Sequence, residues 1–323
     1  MPAPRFGVLA PHVGIAAGPE ALIEVARAAE RLGFASLWVG DHIALPKDYE
    51  LSAYPFNEQG AFPVPSERPF YEAFTTLGFL AAVTERALLG VSVCIVPYRP
   101  PLLLAKTGAT LDALARGRLI LGAGVGWLRE EFAALGAPPF EQRGAFTDET
   151  LAFLRQAWAG PGPVQFSGRF IRVHDMYLSP QPAQGADLPI WIGGMGEAAW
   201  RRTARYGQAW NPALFGAEPG FIRRGRERIA ELAAAEGRPA PAGGWGIALW
   251  TPMEFAERDP DPNDADALPW RSGVIRGTPG YIAGVLARYA EAGVDHVILV
   301  FGGSARSKIR TMERFVDEVL PQL

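Results

Sequence analysis

The chain has 323 residues, of which 49% are hydrophobic and 20% are charged, and its formal net charge at pH 7 is −3. This composition is ordinary for a globular protein, and it excludes the strongly basic surface that binds nucleic acid or an anionic membrane. The N-terminal residues lack the charged and apolar regions of a signal peptide, and no apolar run approaches the roughly 18 residues of a membrane span, so we expect a cytoplasmic protein.

Short apolar runs of β-forming residues alternate along the chain with longer segments of helical periodicity. The predicted strands are Phe6–Leu9, Ser36–Val39, Leu88–Ile95, Leu119–Gly122, Pro189–Ile192, Ala209–Pro212, Trp245–Trp250 and Val297–Phe301. The predicted helices lie between Gly18 and Gly33, at Glu72–Arg86, between Pro100 and Gly117, at Gln142–Trp158, Glu197–Tyr206 and Phe221–Ala235, from Thr278-Pro279 onward, and at Lys308–Leu320. Eight β-then-α units need roughly 250 residues, so the pattern predicts an α/β protein, a single (β/α)8 TIM barrel over residues 1–323.

Three longer segments interrupt this alternation, and we expect them to be loop insertions. Pro46–Arg68 is rich in proline and aromatic residues and has no periodicity, as expected of a lid or binding loop. Val164–Leu178 alternates apolar and polar residues around Ser167-Gly168, which predicts a hairpin. Glu254–Arg276 is acidic and contains proline. Substrate specificity in barrels resides in such loops, so the sequence does not name the substrate.

The candidate functional residues lie where the predicted strands end, because a barrel places its active site at that face. These strand ends carry His12, Asp41, His42, Val125, Gly126, Trp127, Trp210 and Trp250. The segment Gly193-Gly194-Met195-Gly196 stands directly before a predicted helix, where free backbone N–H groups can hold a phosphate. Glycine also simply permits a tight turn, and the residues alone leave both interpretations open.

The histidines and the single cysteine give no pattern of metal ligands. His12 and His42 lie at strand exits, whereas His296 lies at a strand entrance and His174 in the predicted hairpin. No His-x-His or His-Glu-x-x-His spacing occurs, so we predict no metal site. Cys94 lies in an apolar run, which predicts a buried, unreactive thiol and no internal disulfide.

Several segments, taken together, are typical of one protein family. They are Ser36–Ile43, Thr84–Arg86, Leu89-Gly90, Leu104–Lys106, Ala109–Asp112, Gly117-Arg118, Leu121–Trp127, Glu131-Phe132, Trp191–Gly194, Gly277–Pro279 and Ala292–Asp295. Through them the chain resembles the bacterial luciferase-like monooxygenase family over nearly its whole length. Within that family it is most similar to the coenzyme F420-dependent oxidoreductases, through Asp41-His42, Tyr54-Pro55 and the run Val125–Glu131.

The resemblance implies that a tricyclic redox cofactor binds at the strand ends. It implies that His42 lies beside the ring as a candidate proton donor, and that Asp41 either orients His42 or caps the following loop. It also implies a non-prolyl cis peptide at Ser92-Val93, with a bulge that supports one face of the ring.

The same resemblance extends to the remaining site residues. It implies that Ser92, Val93, Val125, Gly126 and Trp127 contact the cofactor, and that Gly193, Gly194, Met195 and Gly196 hold its phosphate. The predicted substrate and lid residues are His12, Tyr54, Phe56, Trp210 and Trp250, with the tryptophans equally open to a role in the core. Trp127 stands where relatives that oxidise glucose 6-phosphate have a catalytic carboxylate, which argues against that substrate.

We therefore expect an oxidoreductase that transfers a hydride between reduced F420 and a small organic substrate with a carbonyl group or an unsaturated bond. One alternative is a monooxygenase that receives reduced flavin mononucleotide (FMN) from a separate reductase. Another is a cofactor-binding protein without turnover. By similarity to relatives of this type we expect a homodimer.

Overall fold

The computed structural model of the chain describes residues 3–55, 60–213, 215, 217–241, 244–261 and 263–323. Its strands are β1 (Arg5–Leu9), β2 (Ser36–Val39), β3 (Leu88–Ile95), β4 (Leu119–Gly124), β5 (Val164–Ser167), β6 (Arg172–Met176), β7 (Ile190–Gly193), β8 (Ala209–Asn211), β9 (Gly246–Phe255), β10 (Ile275–Gly277) and β11 (His296–Val300). Its helices are α1 (Pro19–Arg31), α2 (Ala73–Val83), α3 (Pro101–Leu114), α4 (Arg129–Ala134), α5 (Arg143–Ala157), α6 (Glu197–Tyr206), α7 (Pro219–Ala235), α8 (Pro269–Ser272), α9 (Pro279–Glu291) and α10 (Ala305–Glu318). Within these described ranges, no helix combines the length and apolar character needed to cross a membrane.

The chain divides into two compact units. The first unit comprises Met1–Pro11, Ala16–Trp38 and Trp191–Leu323, and the second comprises His12–Ile15 and Val39–Ile190. The first contains a parallel sheet whose strands are hydrogen-bonded in the order β2-β1-β11-β9-β8-β7. These short apolar runs are largely buried, as is usual for parallel strands that helices cover.

A polar group lies inside the first unit beside β1. An added Cβ at Gly7 would come within 2.1 Å of the Ser36 hydroxyl, so only glycine leaves room for that side chain. The indole N–H of Trp38 donates to Ser36 Oγ at 2.7 Å, and Ser36 Oγ lies 2.7 Å from Nε2 of His296. Burial lowers the pKa of His296 to about 3, so the ring is neutral at pH 7.

The second unit contains the parallel pair β3–β4, helices α2 to α5 and the antiparallel hairpin β5–β6. Asp112 is fully buried in α3 and accepts hydrogen bonds from the backbone N–H groups of Leu119 and Gln184 at 3.2 and 2.9 Å. These bonds fix the start of β4 and therefore the position of its C-terminal end. Glu72 caps α2 by accepting the backbone N–H of Thr75 at 2.7 Å.

The predicted alternation of strands and helices is confirmed, and the predicted hairpin is β5–β6. The third insertion is narrower than predicted, because β9 continues past Trp250 to Phe255 and pairs in parallel with β10. Thr251 and Met253 are both buried, so the alternation of the strand persists across Pro252. Helix α4 was not predicted: a single short turn of helix follows Leu128 and buries Glu131 and Phe132.

Candidate active site

His42 stands directly after β2 and is 7% exposed. Its Nδ1 lies 2.6 Å from Oε2 of Glu131, which lies in α4. An ionised carboxylate accepts hydrogen bonds and donates none, so this contact suits a ring that is protonated at Nδ1. Nε2 of His42 makes no hydrogen bond to any residue that the structure describes. The ring therefore has one nitrogen held by the protein and one available for chemistry.

Glu131 is the polar centre of this arrangement and is 2% exposed. Its Oε1 accepts the backbone N–H groups of Ile43 and Ala44 at 2.5 and 3.0 Å. Its Oε2 accepts the hydroxyl of Tyr98 at 2.8 Å in addition to His42. Burial, together with the negative charge of Glu131, raises the pKa of Tyr98, which keeps its hydroxyl a donor.

Asp41 makes a different set of contacts from those of its neighbour. Its carboxylate receives both terminal nitrogens of Arg99, at 2.7 and 2.8 Å, and the backbone N–H of Ile95 at 2.8 Å. Arg99 also donates to Glu72 at 2.7 Å. The sequence leaves two roles open to Asp41, and its contacts do not include His42, so they do not support a role in orienting that ring. Asp41 instead ties the end of β2 to the end of β3 through a bidentate ion pair.

The ionisation of this group of residues follows from the same contacts. Burial alone would lower the pKa of Arg99, but its hydrogen bonds to Asp41 and Glu72 raise it. Burial opposes ionisation of Glu72, yet the N–H of Thr75 and the guanidinium of Arg99 hold its pKa below the usual range. Burial raises the pKa of the Cys94 thiol. This free cysteine is buried, as predicted.

The peptide bond between Ser92 and Val93 is cis, which confirms that prediction. The pairing of β3 with β4 shifts register between Val91 and Cys94, so β3 bulges at this point. A Cβ at Gly122 would come within 1.9 Å of the Val91 carbonyl oxygen, and glycine in β4 is what admits the bulge. Ser92 and Val93 are both partly exposed within an otherwise largely buried strand.

Trp127 is the centre of an aromatic cluster beside His42. The ring of Tyr49 stacks on Trp127 at a centroid distance of 6.1 Å, and Tyr54 and Phe62 contact it at 5.3 and 5.9 Å. His42 meets the ring of Trp127 at 5.9 Å. Burial raises the pKa of Tyr54 to about 12. The described part of the predicted lid therefore brings aromatic side chains to His42, as expected of a loop that carries them for binding.

The lid region also includes a cavity and the segment that leads to Trp127. A cavity of about 480 Å³ lies against Tyr49 and Phe62 of the aromatic cluster. The predicted lid residue Phe56 lies outside the described residues. Val125 and Gly126 connect β4 to Trp127, and the close approach of Gly126 to Ile95 leaves no room for a side chain.

His12 has a supporting position in the structure. Its Nε2 accepts the backbone N–H of Gly40 at 2.7 Å, so this nitrogen carries no proton. Its ring contacts Phe70 edge-on at 5.2 Å, and its carbonyl accepts the N–H of Tyr71. His12 thus joins the end of β2 to Phe70 and Tyr71, which follow the lid in sequence. The predicted contact of His12 with substrate stays a prediction.

The glycine-rich segment after β7 belongs to the first unit. Gly194 and Gly196 have φ values of +111° and +84°, a conformation that favours glycine. Gly194 is exposed, and a Cβ at Gly196 would meet no atom within 4 Å, so open space adjoins the backbone before α6. Met195 between them is partly buried. The segment has the form of an anion-binding helix N-terminus.

Trp210 and Trp250, the two tryptophans of the first unit that were predicted as site residues, differ in their surroundings. Trp210 is fully buried, packs on Trp200 and Phe221, and donates its indole N–H to the Gly194 carbonyl at 2.8 Å. Trp210 thus packs in the core of the first unit and supports the glycine segment, and its predicted contact with substrate stays a prediction. Trp250 is partly buried in β9.

The described residues contain no group of three or more His, Cys, Asp or Glu side chains arranged to hold a metal ion.

The sequence profile of luciferase-like monooxygenases matches residues 5–265. The chain belongs to this family. An uncharacterized protein of Mycobacterium tuberculosis is 33% identical over 219 residues, which is 68% of this chain and 73% of that protein.

One sequence relative and one solved structure of the same fold match this chain over almost its full length. An F420-dependent glucose-6-phosphate dehydrogenase of Amycolatopsis mediterranei is 26% identical over 345 residues, 95% of each chain. The solved structure of an F420-dependent secondary alcohol dehydrogenase with an F420–acetone adduct has a TM-score of 0.76 at 19% identity, over 99% of both chains. These matches confirm the predicted (β/α)8 barrel, and membership of the family makes this luciferase-like chain an oxidoreductase.

Sequence reasoning missed Glu131 as the partner of His42, and Tyr98 as a hydrogen-bond donor to Glu131. Glu131 lies in the run Val125–Glu131, which carries the family resemblance, but nothing in its spacing links it to a histidine 89 positions away. A charged residue at an otherwise apolar position of a short helix is the one available signal, since such residues are rarely buried without a partner.

Proposed function

We propose that the chain transfers a hydride between coenzyme F420 and a small organic substrate that bears a carbonyl group or an unsaturated bond. The observation that carries this proposal is His42, held at Nδ1 by Glu131 with Nε2 left for an incoming group. Hydride transfer to a carbonyl carbon requires a proton at the oxygen, and a histidine with one available nitrogen is suited to deliver it.

The chain offers surfaces that fit a flat cofactor with a phosphate. Ser92 and Val93 are the partly exposed residues of the β3 bulge, and we assign them to one face of the ring. Gly194 and Gly196 present open backbone before α6, and we assign them to the phosphate. When bound, the reduced cofactor supplies the hydride. Val125, Gly126 and Trp127 belong to the same proposed site.

His42 then acts on the substrate through its own proton. In the reducing direction Nε2 gives a proton to the substrate oxygen, and Glu131 stabilises the positive charge that the ring carries before that step. In the oxidising direction Nε2 accepts the proton of the alcohol. Phe62 and Trp127 contact the His42 ring, and we propose that these apolar rings limit the access of water to this nitrogen when substrate is bound, which strengthens each electrostatic contact.

The aromatic cluster favours an apolar substrate. The F420-dependent glucose-6-phosphate dehydrogenases that this chain resembles act on a sugar phosphate, whereas the rings of Phe62, Phe70 and Trp127 surround His42 here. Flat apolar walls give little binding energy to a phosphorylated sugar and more to a hydrocarbon or aromatic group. We therefore propose a small substrate without a phosphate.

The second candidate function is an FMN-dependent monooxygenase, because the family profile that matches is that of luciferase-like monooxygenases. That activity needs reduced FMN from a separate reductase. The homodimer and the partner reductase stay predictions.

The two functions are separated by titrating the purified chain with F420 and with FMN, each oxidised and reduced, and following cofactor fluorescence. We expect F420 to bind with a Kd of about 1 µM or below and FMN at least tenfold more weakly (about 1.4 kcal/mol). Tighter binding of FMN, with consumption of oxygen, would favour the monooxygenase. His42→Ala should keep F420 binding and lose turnover. A parent chain that binds the cofactor tightly but shows no turnover, with binding unaffected by His42→Ala, would indicate a binding protein without turnover.

A further inference from the structure

The proton on His42 is fixed by one carboxylate. Nδ1 lies 2.6 Å from Oε2 of Glu131, and the remaining neighbours of the ring are aromatic side chains at 5.1 to 5.9 Å. None of these rings offers an alternative acceptor to Nδ1. Whether Nε2 carries a proton in the neutral ring therefore depends on the residue at position 131.

Backbone donors fix the orientation of the Glu131 carboxylate. The N–H groups of Ile43 and Ala44 both point at Oε1, and a backbone N–H cannot reverse its role. Oε1 is thus confined to accepting, and Oε2 is the atom left for His42 and Tyr98. The sequence supplies both ends of this arrangement locally, since Ile43 and Ala44 directly follow His42.

From this geometry we propose that Glu131 is a positioning residue, which keeps the proton of His42 on Nδ1 and leaves Nε2 as the nitrogen that exchanges a proton with the substrate. The exchange with substrate rests on the proposed function, whereas the position of the proton does not. As Nε2 gives or takes its proton, Nδ1–H and its bond to Glu131 stay in place.

Other titratable groups near His42 are already engaged. Tyr98 donates to Glu131, and Asp41, Arg99 and Glu72 are bound to one another. From the lid, Tyr54 contacts the rings of Trp127 and Phe62, and Lys47 and Glu67 line the adjoining cavity. Glu131 is thus the one carboxylate in contact with His42 among the described residues.

A glutamine at position 131 should invert the arrangement. Because the N–H groups of Ile43 and Ala44 demand an acceptor, the amide oxygen must take the place of Oε1 and the amide NH₂ that of Oε2. The NH₂ then donates to Nδ1, which must lose its proton, so the neutral ring carries it on Nε2. Such a ring can neither accept a proton at Nε2 nor become doubly protonated without losing this hydrogen bond.

The position of the proton can be read directly by ¹⁵N NMR of histidine-labelled protein without any cofactor. The chain has four histidines, and His42→Ala assigns the signal of interest. At a pH where the imidazole is neutral, we expect a protonated Nδ1 and a bare Nε2 in the parent, and the reverse in Glu131→Gln. A parent ring protonated on Nε2 overturns the proposal without need of any variant. So does a Glu131→Gln ring that keeps its proton on Nδ1.

Glu130→Gln is the matched control, because it makes the same chemical change one residue earlier in α4. Glu130 accepts the backbone N–H of Leu51 at 2.7 Å, and its hydrogen bonds do not include His42. We expect the His42 signals of Glu130→Gln to match those of the parent. Glu131→Asp keeps the charge and should keep the proton on Nδ1. A reversed proton in either variant would contradict the argument.

Turnover supplies the second readout. We expect Glu131→Gln to lower F420-dependent turnover by about 10²–10⁴-fold, the usual contribution of a general acid or base, and to remove the dependence of kcat on His42 ionisation. A variant with the inverted proton and parental kcat and pH profile would refute the catalytic part. If the proton shifts as expected while no form binds F420, the proposed function fails and the positioning role stands.

Discussion

Replacement of Asp41 by asparagine tests whether Asp41 and His42 have separate roles. The carboxylate of Asp41 is completely buried and binds Arg99 through both oxygens. The asparagine would keep one oxygen for the N–H of Ile95, but its amide NH₂ would face a guanidinium N–H where Oδ1 now accepts at 2.8 Å. The guanidinium would retain only the partly exposed Glu72 as an anionic partner.

The expected loss of stability follows from the burial of this pair. Removing one partner of a buried ion pair destabilises a protein by about 3–5 kcal/mol, because the remaining charge loses its buried counter-charge, which here leaves Arg99 with the partly exposed Glu72 alone. With an unfolding entropy of roughly 2.1 cal/mol/K per residue, a chain of 323 residues changes its Tm by about 1.5 °C per kcal/mol. We therefore expect Asp41→Asn to lower Tm by about 4–7 °C.

Differential scanning calorimetry measures this change, with Glu141→Gln as the control. Glu141 forms an ion pair with Arg129 in the same unit, but both side chains are exposed, so its loss should give no resolvable change in Tm. The ¹⁵N spectrum of His42 should be unchanged in Asp41→Asn, because Glu131 is the partner of Nδ1. Equal Tm values for the two variants, or a proton moved to Nε2 in Asp41→Asn, would refute this reasoning.

Three further substitutions address other parts of the molecule. Gly122→Ala should lower stability by about 1–3 kcal/mol and abolish F420 binding, because its Cβ would lie 1.9 Å from the Val91 carbonyl oxygen; Gly78→Ala in α2, where the Cβ meets nothing within 4 Å, is the control for calorimetry and titration. Burial lowers the pKa of His296 from 6.5 to about 3, so the unfolded chain binds a proton that the folded chain refuses. Stability should therefore fall as pH drops from 6.5 to 3, and the slope of Tm against pH should be smaller in His296→Gln. Trp127→Leu should raise KM for the substrate, measured by steady-state kinetics, and should weaken F420 binding by threefold or more (about 0.7 kcal/mol), because Trp127 is assigned both to the aromatic cluster beside His42 and to the cofactor contacts.

Local patterns carried most of the fold prediction. Alternating apolar runs, Pro19 at the start of α1, and the Thr278–Pro279 pair at α9 placed the repeating units close to their observed positions. The end of β9 was placed too early because Pro252 was taken to stop the strand. Pairing with β11 and then with β10 carries the strand past that proline, and such pairing is a tertiary effect that no local pattern contains.

Sequence alone predicted those site features that lie within a single segment of the chain. His42 and the Ser92-Val93 peptide could be located because each lies in a segment that the family resemblance covers. The partnership of His42 with Glu131 joins positions 89 residues apart and depends on how α4 packs. The sequence leaves Trp210 open between a substrate contact and the core, because a tryptophan at a strand end gives the same pattern in both places, whereas the structure shows that it is buried.

Two carboxylates near His42 divide two tasks that one could not perform together. Asp41 has the guanidinium of Arg99 against both of its oxygens and makes no hydrogen bond to His42, so its charge is directed at the arginine. Glu131 accepts from two backbone N–H groups and Tyr98 besides His42, so among the described residues no Arg or Lys side chain competes with the ring for its carboxylate charge. Because dipolar donors stabilise that charge without cancelling it, Glu131 can hold the proton of Nδ1 in both protonation states of His42. The adjacency of Asp41 and His42 in sequence therefore reflects a strand end that must be anchored, and the proton chemistry belongs to the pair that the fold assembles.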